Sequence, residues 1–291
     1  MKVIATVVIC LTSLVANAQI AEDYYKKAVV KYKMKDYGGA IVEYTRAIEL
    51  GGNSPVLYNN RGVCKYKMEH YSEAIEDYNM AISSDSNFVN AYFNKGNSYL
   101  DINELEDALI SYDRAIYLDS LYVKAYINRA KVYYLLEDYR STVTDLTKVL
   151  DENVATNKEG LHLERGNALF KLAEFNKALS DYTVAIQLKT NFYQAYINRG
   201  QCHIQLKDHL KAIDDFTLSM HLNMDGGESY YYRGLTYLDM TTTVKASDRK
   251  MKTLRMIRKN QNLIELACSD FDKSKALGYG RSFEVIEMYC K

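Results

Sequence analysis

Small and aromatic residues recur along this chain at a fixed interval of 34 residues, and that interval sets the elements it predicts. Counted from Ala21, Pro55, Val89, Val123, Glu159, Tyr193 and Gly227, position 8 of each repeat reads Ala28, Gly62, Gly96, Ala130, Gly166, Gly200 and Gly234. Position 4 carries a ring in Tyr24, Tyr58, Tyr92, Tyr126, Tyr196 and Tyr230, with His162 in the fifth repeat. Further on, position 20 is Ala40, Ala74, Ala108, Ala178 and Ala212, and position 24 is Tyr44, Tyr78, Tyr112, Tyr182 and Phe216. Positions 4, 8 and 11 fall on one face of a first helix, and positions 17, 20, 24 and 27 on one face of a second. Each repeat is therefore predicted to be a helical hairpin. Glycine inside a helix costs roughly 1 kcal/mol against alanine, so its place at position 8 marks a helix contact too close for a side chain.

The runs Ala91-Tyr92-Phe93-Asn94-Lys95-Gly96, Ala125-Tyr126-Ile127-Asn128-Arg129-Ala130 and Ala195-Tyr196-Ile197-Asn198-Arg199-Gly200 resemble the first helices of tetratricopeptide repeats. The second-helix sets Ala108, Tyr112, Ala115 and Ala178, Tyr182, Ala185 are similar to that family too, and the resemblance spans about nine tenths of the chain. It implies an all-α fold, a right-handed α-solenoid of helix-turn-helix units. The first helices then line a concave groove that commonly holds peptides or protein segments, and no chemistry is implied. The family's usual proline near position 32 is missing, with Gly52, Ser86 and Ser120 in its place, so glycine, serine and aspartate must make those turns. Some members grip a terminal carboxylate with lysine, asparagine and arginine spread over three units. The nearest window here offers Asn59, Val63, Asn94, Lys124 and Asn128, which does not support that mode.

Residues 1–18 stand outside the period. Lys2 gives a basic start, Val3 to Val15 is largely apolar, and Ala16-Asn17-Ala18 before Gln19 suits leader cleavage, so these residues read as a secretory signal peptide. An uncleaved anchor or half a repeat is the alternative, although the run is short against the roughly 20 apolar residues of a spanning helix. The array is placed at 19–278, in units 21–54, 55–88, 89–122, 123–156, 159–192, 193–226 and 227–278. Residues 279–291 form a capping tail. Thr142, Leu146 and Val149 make the fourth unit degenerate, and the fifth starts two residues late, which predicts a local change of path near 141–160.

With 37 basic and 37 acidic residues the chain carries no overall field to attract nucleic acid or a membrane surface. Export would leave four thiols in an oxidising compartment. Cys64 and Cys202 share a repeat position four units apart and read as buried free thiols. Cys268 and Cys290 either staple the tail, which carries Phe283, Ile286 and Tyr289, or remain unpaired.

The seventh unit is interrupted by a basic insertion at about 241–262, containing Lys245, Arg249, Lys250, Lys252, Arg255, Arg258 and Lys259 against Asp248. It reads either as a solvated helix or as a contact for an anionic surface or partner. Position 7 is basic in every repeat (Lys27, Arg61, Lys95, Arg129, Arg165, Arg199, Arg233), and position 23 supplies Glu43, Asp77, Asp145, Asp181, Asp215 and, after the insertion, Asp270. These are expected to pair and tie helices together, with Ser111 breaking the series.

On the opposite face of each first helix stand Asn60, Asn94, Asn128 and Asn198 at position 6, Asn97, Lys131 and Asn167 at position 9, and Tyr66, Tyr134 and Phe170 at position 12. An amide donates and accepts, so this ladder could hold the backbone of an extended segment. A solvated, empty groove is the alternative. No G-x-S-x-G, phosphate-binding glycine loop, H-E-x-x-H or C-x-x-C occurs, and His203 and His209 do not share a helix face. The sequence thus predicts a non-enzymatic scaffold or adaptor without cofactor or metal, placed in a bacterial periplasm or cell envelope or secreted, and binding a protein or peptide. It predicts no transmembrane segment after leader cleavage. The alternative is a structural envelope-associated protein docked through its basic insertion.

Overall fold

The computed structural model describes the backbone of residues 2–51, 54–152, 156–247 and 253–290, and the side chains of 17–51, 54–152, 156–241 and 260–290. Among the described residues every regular element is a helix. The chain divides into two compact bodies, Met1–Asp138 and Tyr139–Lys291, and the division falls inside the degenerate fourth repeat. The first body contains α1 (Lys2–Lys33), α2 (Tyr37–Glu49), α3 (Pro55–Lys67), α4 (Tyr71–Ser84), α5 (Val89–Asp101), α6 (Leu105–Leu118) and α7 (Val123–Leu135). The second contains α8 (Tyr139–Asp151), α9 (Lys158–Lys171), α10 (Phe175–Leu188), α11 (Tyr193–Gln205), α12 (His209–Leu222), α13 (Gly227–Ser247), α14 (Thr253–Ala276) and α15 (Ser282–Tyr289). Hairpins follow the repeat, and within each body a second helix packs on the next first helix while successive first helices also touch, as in α3–α5–α7 and α9–α11–α13.

Local chemistry starts these helices where the repeat asks. Asp36 accepts from the Gly39 amide, Asn157 from the Gly160 amide, and Ser54 from the Val56 amide with Pro55 at the first helical position. Between repeats, Asp85 accepts from the Asn87 amide and Asp119 from the Leu121 amide, so short aspartate turns replace the missing proline.

Ring-on-glycine packing makes the core. A methyl carbon placed on Gly62, Gly96, Gly166, Gly200 or Gly234 would lie 2.6–2.7 Å from a ring carbon of Tyr78, Tyr112, Tyr182, Phe216 or Phe271 respectively. Those five rings are fully buried, as are the alanines at position 20 of their hairpins where one occurs, such as Ala74 and Ala178. The glycines predicted to mark tight contacts are thus the floor on which the second-helix ring lies.

The last hairpin keeps the ring contact but lengthens both helices, α13 past Met240 and α14 from Thr253. The side chains of Lys245, Arg249, Lys250, Lys252, Arg255, Arg258 and Lys259 lie outside the described residues. Beyond α14, Ser282 Oγ donates to Ser274 Oγ, which donates to the Gly227 carbonyl, and Tyr279 packs against Tyr231 at 5.2 Å. These contacts seat α15, whereas Phe283 and Tyr289, expected to cover the array, are half exposed. Their register on the short helix turns them outward. The Cys268 and Cys290 α-carbons are 5.6 Å apart with the sulfurs at bonding distance, and Cys64 and Cys202 are buried and unbridged.

Residues 2–18, which the sequence suggests as a leader, and the first helix of the array are one continuous helix, α1. The side chains of residues 1–16 lie outside the described residues. Among the described residues no helix is long and apolar enough to cross a membrane.

Position 15, in the turn of each of the first six repeats, is left-handed without being glycine: Lys35, Glu69, Asn103, Glu137, Ala173 and Lys207 have φ between 58° and 64°. An L-residue there costs roughly 1–2 kcal/mol, partly offset against glycine by the latter's larger unfolded-state entropy. Ala173→Gly should therefore raise stability by about 0.5–1 kcal/mol, read as a higher urea midpoint at unchanged slope. A lower midpoint would show that the turn is not strained.

Candidate binding face and the forks that support it

The basic residue of position 7 sits between three helices. In repeats two, five, six and seven the arginine Nε and Nη2 both donate to the aspartate of position 23: Arg61 to Asp77, Arg165 to Asp181, Arg199 to Asp215 and Arg233 to Asp270, at 2.6–2.9 Å. Nη1 donates to the hydroxyl of Thr45, Thr147, Thr183 or Thr217 on the preceding repeat's second helix. Each fork thus joins a hairpin to its neighbour through bidentate geometry that lysine does not offer. The hydrogen-bonded carboxylates raise the guanidinium pKa above its ordinary value, against the opposing effect of burial. Arg61, Arg199 and Arg233 also lie over the position 4 rings of Tyr58, Tyr196 and Tyr230. Where His162 replaces that ring, its Nδ1 reaches Asp181 at 2.8 Å.

Three repeats vary the theme. In the first, Glu43 is taken by Lys31 at 2.8 Å and not by Lys27, which lies over Tyr24. A lysine one turn later reaches the carboxylate directly, as Lys65 does to Asp77 at 3.1 Å. In the fourth, Arg129 reaches Asp113, the residue standing where the threonines stand elsewhere. In the third, Ser111 replaces the aspartate and donates to the Asp107 carbonyl, and burial lowers the Lys95 pKa.

The opposite face holds the asparagines. Asn97 Oδ1 accepts two bonds of 2.8 Å, from the Tyr112 hydroxyl and from Asn128 Nδ2. Asn167 Oδ1 repeats this with the Tyr182 hydroxyl at 3.0 Å and Asn198 Nδ2 at 2.7 Å. Asn94 Nδ2 donates to Asn59 Oδ1, and Asn59 Nδ2 to Asn60 Oδ1. Asn198 also accepts from Gln194. The structure therefore brings these amides into pairs between successive first helices, each pair oriented in two of three cases by a buried tyrosine hydroxyl. With both lone pairs of the Asn97 and Asn167 oxygens engaged, the amide N–H groups are directed away from them, and both residues are partly exposed.

Two of the three rings of position 12 also pack within their hairpins. Tyr66 packs edge-on against Tyr71 and Phe170 against Phe175, closing the hairpin ends, and the Tyr66 hydroxyl donates to Asp101. Tyr134 is partly exposed and Lys131 exposed. Sequence reasoning placed Asn59 only in the unsupported carboxylate window and missed the tyrosine hydroxyls of position 24. Two of its three asparagine or glutamine residues at position 9, Asn97 and Asn167, share a hairpin with a tyrosine, while Gln201 shares one with Phe216. That pairing was the available signal.

Burial pushes the Cys64 and Cys202 thiols up to about 12, which keeps them protonated and unreactive. Burial likewise lowers the His203 pKa. No group of metal-ligating side chains occurs among the described residues.

Helical hairpins repeating at one period, with a ring lying on a small residue in each, define a helical-repeat protein. Models of the tetratricopeptide repeat match residues 55–88, 89–120 and 193–223. The chain carries tetratricopeptide repeats at these residues. Similar solved structures include YrrB, described as a tetratricopeptide repeat protein with an unusual peptide-binding site (23% identity, TM-score 0.55, covering 73% of this chain and 99% of that one). The C-terminal part of a repeat protein from Cytophaga hutchinsonii is 18% identical with TM-score 0.67, covering 89% and 98%. A repeat protein from Parabacteroides merdae is 18% identical with TM-score 0.60, covering 94% and 100%. No curated protein matches the sequence.

Breaking one fork should mainly cost stability. Arg199→Met leaves the nearly buried Asp215 carboxylate without its guanidinium, and should lower stability by about 3 kcal/mol, with Asp215→Asn added in the double variant restoring part of it. An unchanged melting temperature, or no recovery in the double variant, would remove the fork from the account of what joins the repeats.

Proposed function

We propose that this chain is a non-enzymatic scaffold or adaptor that holds a peptide or protein segment along the first-helix face. The observation that carries the reading is the pair of oxygen-saturated amides, Asn97 and Asn167. Each is fixed in one orientation by two donors, so its amide N–H groups are pre-set for a main-chain carbonyl, and no ordering cost falls on binding. Main-chain recognition tolerates many sequences, which suits an adaptor. YrrB's description as carrying a peptide-binding site supports the same use of the fold.

A photo-crosslinker at Asn94 or Asn128 should capture a polypeptide in cells. Asn97→Ala should weaken the identified segment about tenfold, the loss of one or two hydrogen bonds, while circular dichroism stays unchanged. Equal affinity in a folded variant would reject the amides as the binding element.

The reading includes export. The leader directs the chain to a bacterial periplasm, cell envelope or the exterior, and Cys268 and Cys290 are oxidised there, holding α15 on α14. Intact-mass analysis of the protein from its native cell should show a chain beginning at Gln19 and lighter by two hydrogens than its reduced form. A chain retaining residues 1–18 in the cytosol, with free thiols throughout, would reverse both statements. The alternative use, docking to an anionic surface through the basic insertion, rests on Lys245, Arg249 and their neighbours in the sequence alone. Deleting residues 243–260 would abolish localisation in that case and leave segment capture intact.

A further inference from the structure

The chain as a whole is neutral, but the first-helix face of the first body is not. Its positions 2, 6, 9 and 13 present Lys26, Lys33, Lys67, Lys124 and Lys131, all exposed, against Glu22 and Asp101. Glu22 lies 3.6 Å from Lys26 within α1, which leaves Lys33, Lys67, Lys124 and Lys131 against Asp101, and Asp101 accepts the Tyr66 hydroxyl. Lys67 extends over the Tyr66 ring, 5.7 Å from its centre, which sets its ammonium on this face. Between the lysines lie partly exposed apolar side chains, among them Tyr25, Val29, Val63, Phe93 and Ile127. The corresponding positions of the second body carry Lys171 against Glu164, Glu228 and Asp239, the opposite balance.

From this placement we infer that the first body takes an extended segment in which aspartate or glutamate alternates with apolar residues. The inference rests on the peptide-holding role of the first-helix face and adds the chemistry of the partner. Apolar residues of such a segment meet Val63, Phe93 and Ile127, its main chain meets the Asn97 and Asn128 amides, and its carboxylates face the lysines. A strand-like segment puts alternate side chains on opposite sides, so one edge touches the apolar strip while the other stays near the cations. Each exposed lysine contributes little singly and is screened over about 10 Å at 0.1 M salt. Against the two acids the five leave a net charge of +3 on this face, and they act together through the summed field, which raises encounter rates and selects the sign of the partner.

The test uses the full chain and three labelled peptides of equal length, with leucine alternating with aspartate, with serine or with lysine, read by fluorescence anisotropy. The aspartate peptide should bind about tenfold tighter than the serine peptide at low salt, and the preference should fade towards one as salt rises from about 0.05 to 0.5 M. Lys124→Glu with Lys131→Glu should erase the preference, and both side chains are exposed, so folding is checked by an unchanged melting temperature. Equal binding of aspartate and serine peptides, tighter binding of the lysine peptide, or a preference that survives the double variant would overturn the acidic partner and leave the groove reading standing. Binding of none of the three would overturn both.

Discussion

The ring of position 24 lying on the small residue of position 8 is the contact from which the rest of this structure follows. It brings two helices closer than ordinary side chains allow, and it does so in the same way in five described hairpins, from Tyr78 on Gly62 to Phe271 on Gly234. A contact of this kind is unforgiving, because close-packed interiors transmit any displacement to their neighbours. In three of these hairpins the ring is a tyrosine, and its hydroxyl lies at the far edge of the packed layer. In Tyr112 and Tyr182 that hydroxyl emerges at the first-helix face and donates to Asn97 and Asn167. The same side chain therefore fixes the hairpin and orients an amide on the first-helix face, so packing and the proposed recognition are joined through one residue.

The forks solve a different problem. A repeat array has no long-range contacts to hold distant parts together, and its stability is a sum of hairpin and neighbour terms. Apolar contact alone lets neighbouring helices slide, since it is nearly indifferent to direction. A guanidinium with two bonds to its own hairpin's aspartate and a third to the preceding threonine sets the angle between units. Buried ion pairs are weak contributors to stability when compared with well-packed apolar groups, and their value here lies in fixing geometry. The third repeat shows the rule by exception: Lys95, Ser111 and Asn79 replace arginine, aspartate and threonine together, so no half-built fork is left behind.

Much of this was legible in the sequence because a period records which residues occupy equivalent places. Hairpins, the glycine floor, the basic and acidic partners of positions 7 and 23, and the buried free thiols all follow from spacing. What the period does not record is which residues meet between repeats, or how far a side chain reaches. Lys31 in place of Lys27 on Glu43 is a matter of where along the helix a lysine can reach the carboxylate, and the amide pairs arise between repeats, two at a spacing of 31 residues and one at 35. Tyr66 and Phe170 were read as lining the groove because position 12 faces that way, yet each finds a ring at position 17 within its own hairpin. The left-handed residue of position 15 left no trace in composition at all. Lysine, glutamate, asparagine and alanine occupy it, since the two helices on either side dictate the turn and the residue there only has to tolerate it.

Separation of these roles along the repeat has a consequence for specificity. Positions 8, 20, 24 and 23 are set by packing and pairing, while positions 2, 6, 9 and 13 of the first helices lie away from the ring contact and differ from repeat to repeat. Position 9 runs through Val63, Asn97, Lys131, Asn167 and Gln201, from apolar to charged, over a backbone that does not change. A neighbour-coupled array can therefore write a different surface on every repeat and keep one core, so under the proposed function the order of side chains along the first helices is the part of the sequence that selects a partner. In the first body that order spells cations flanking an apolar strip around the paired amides.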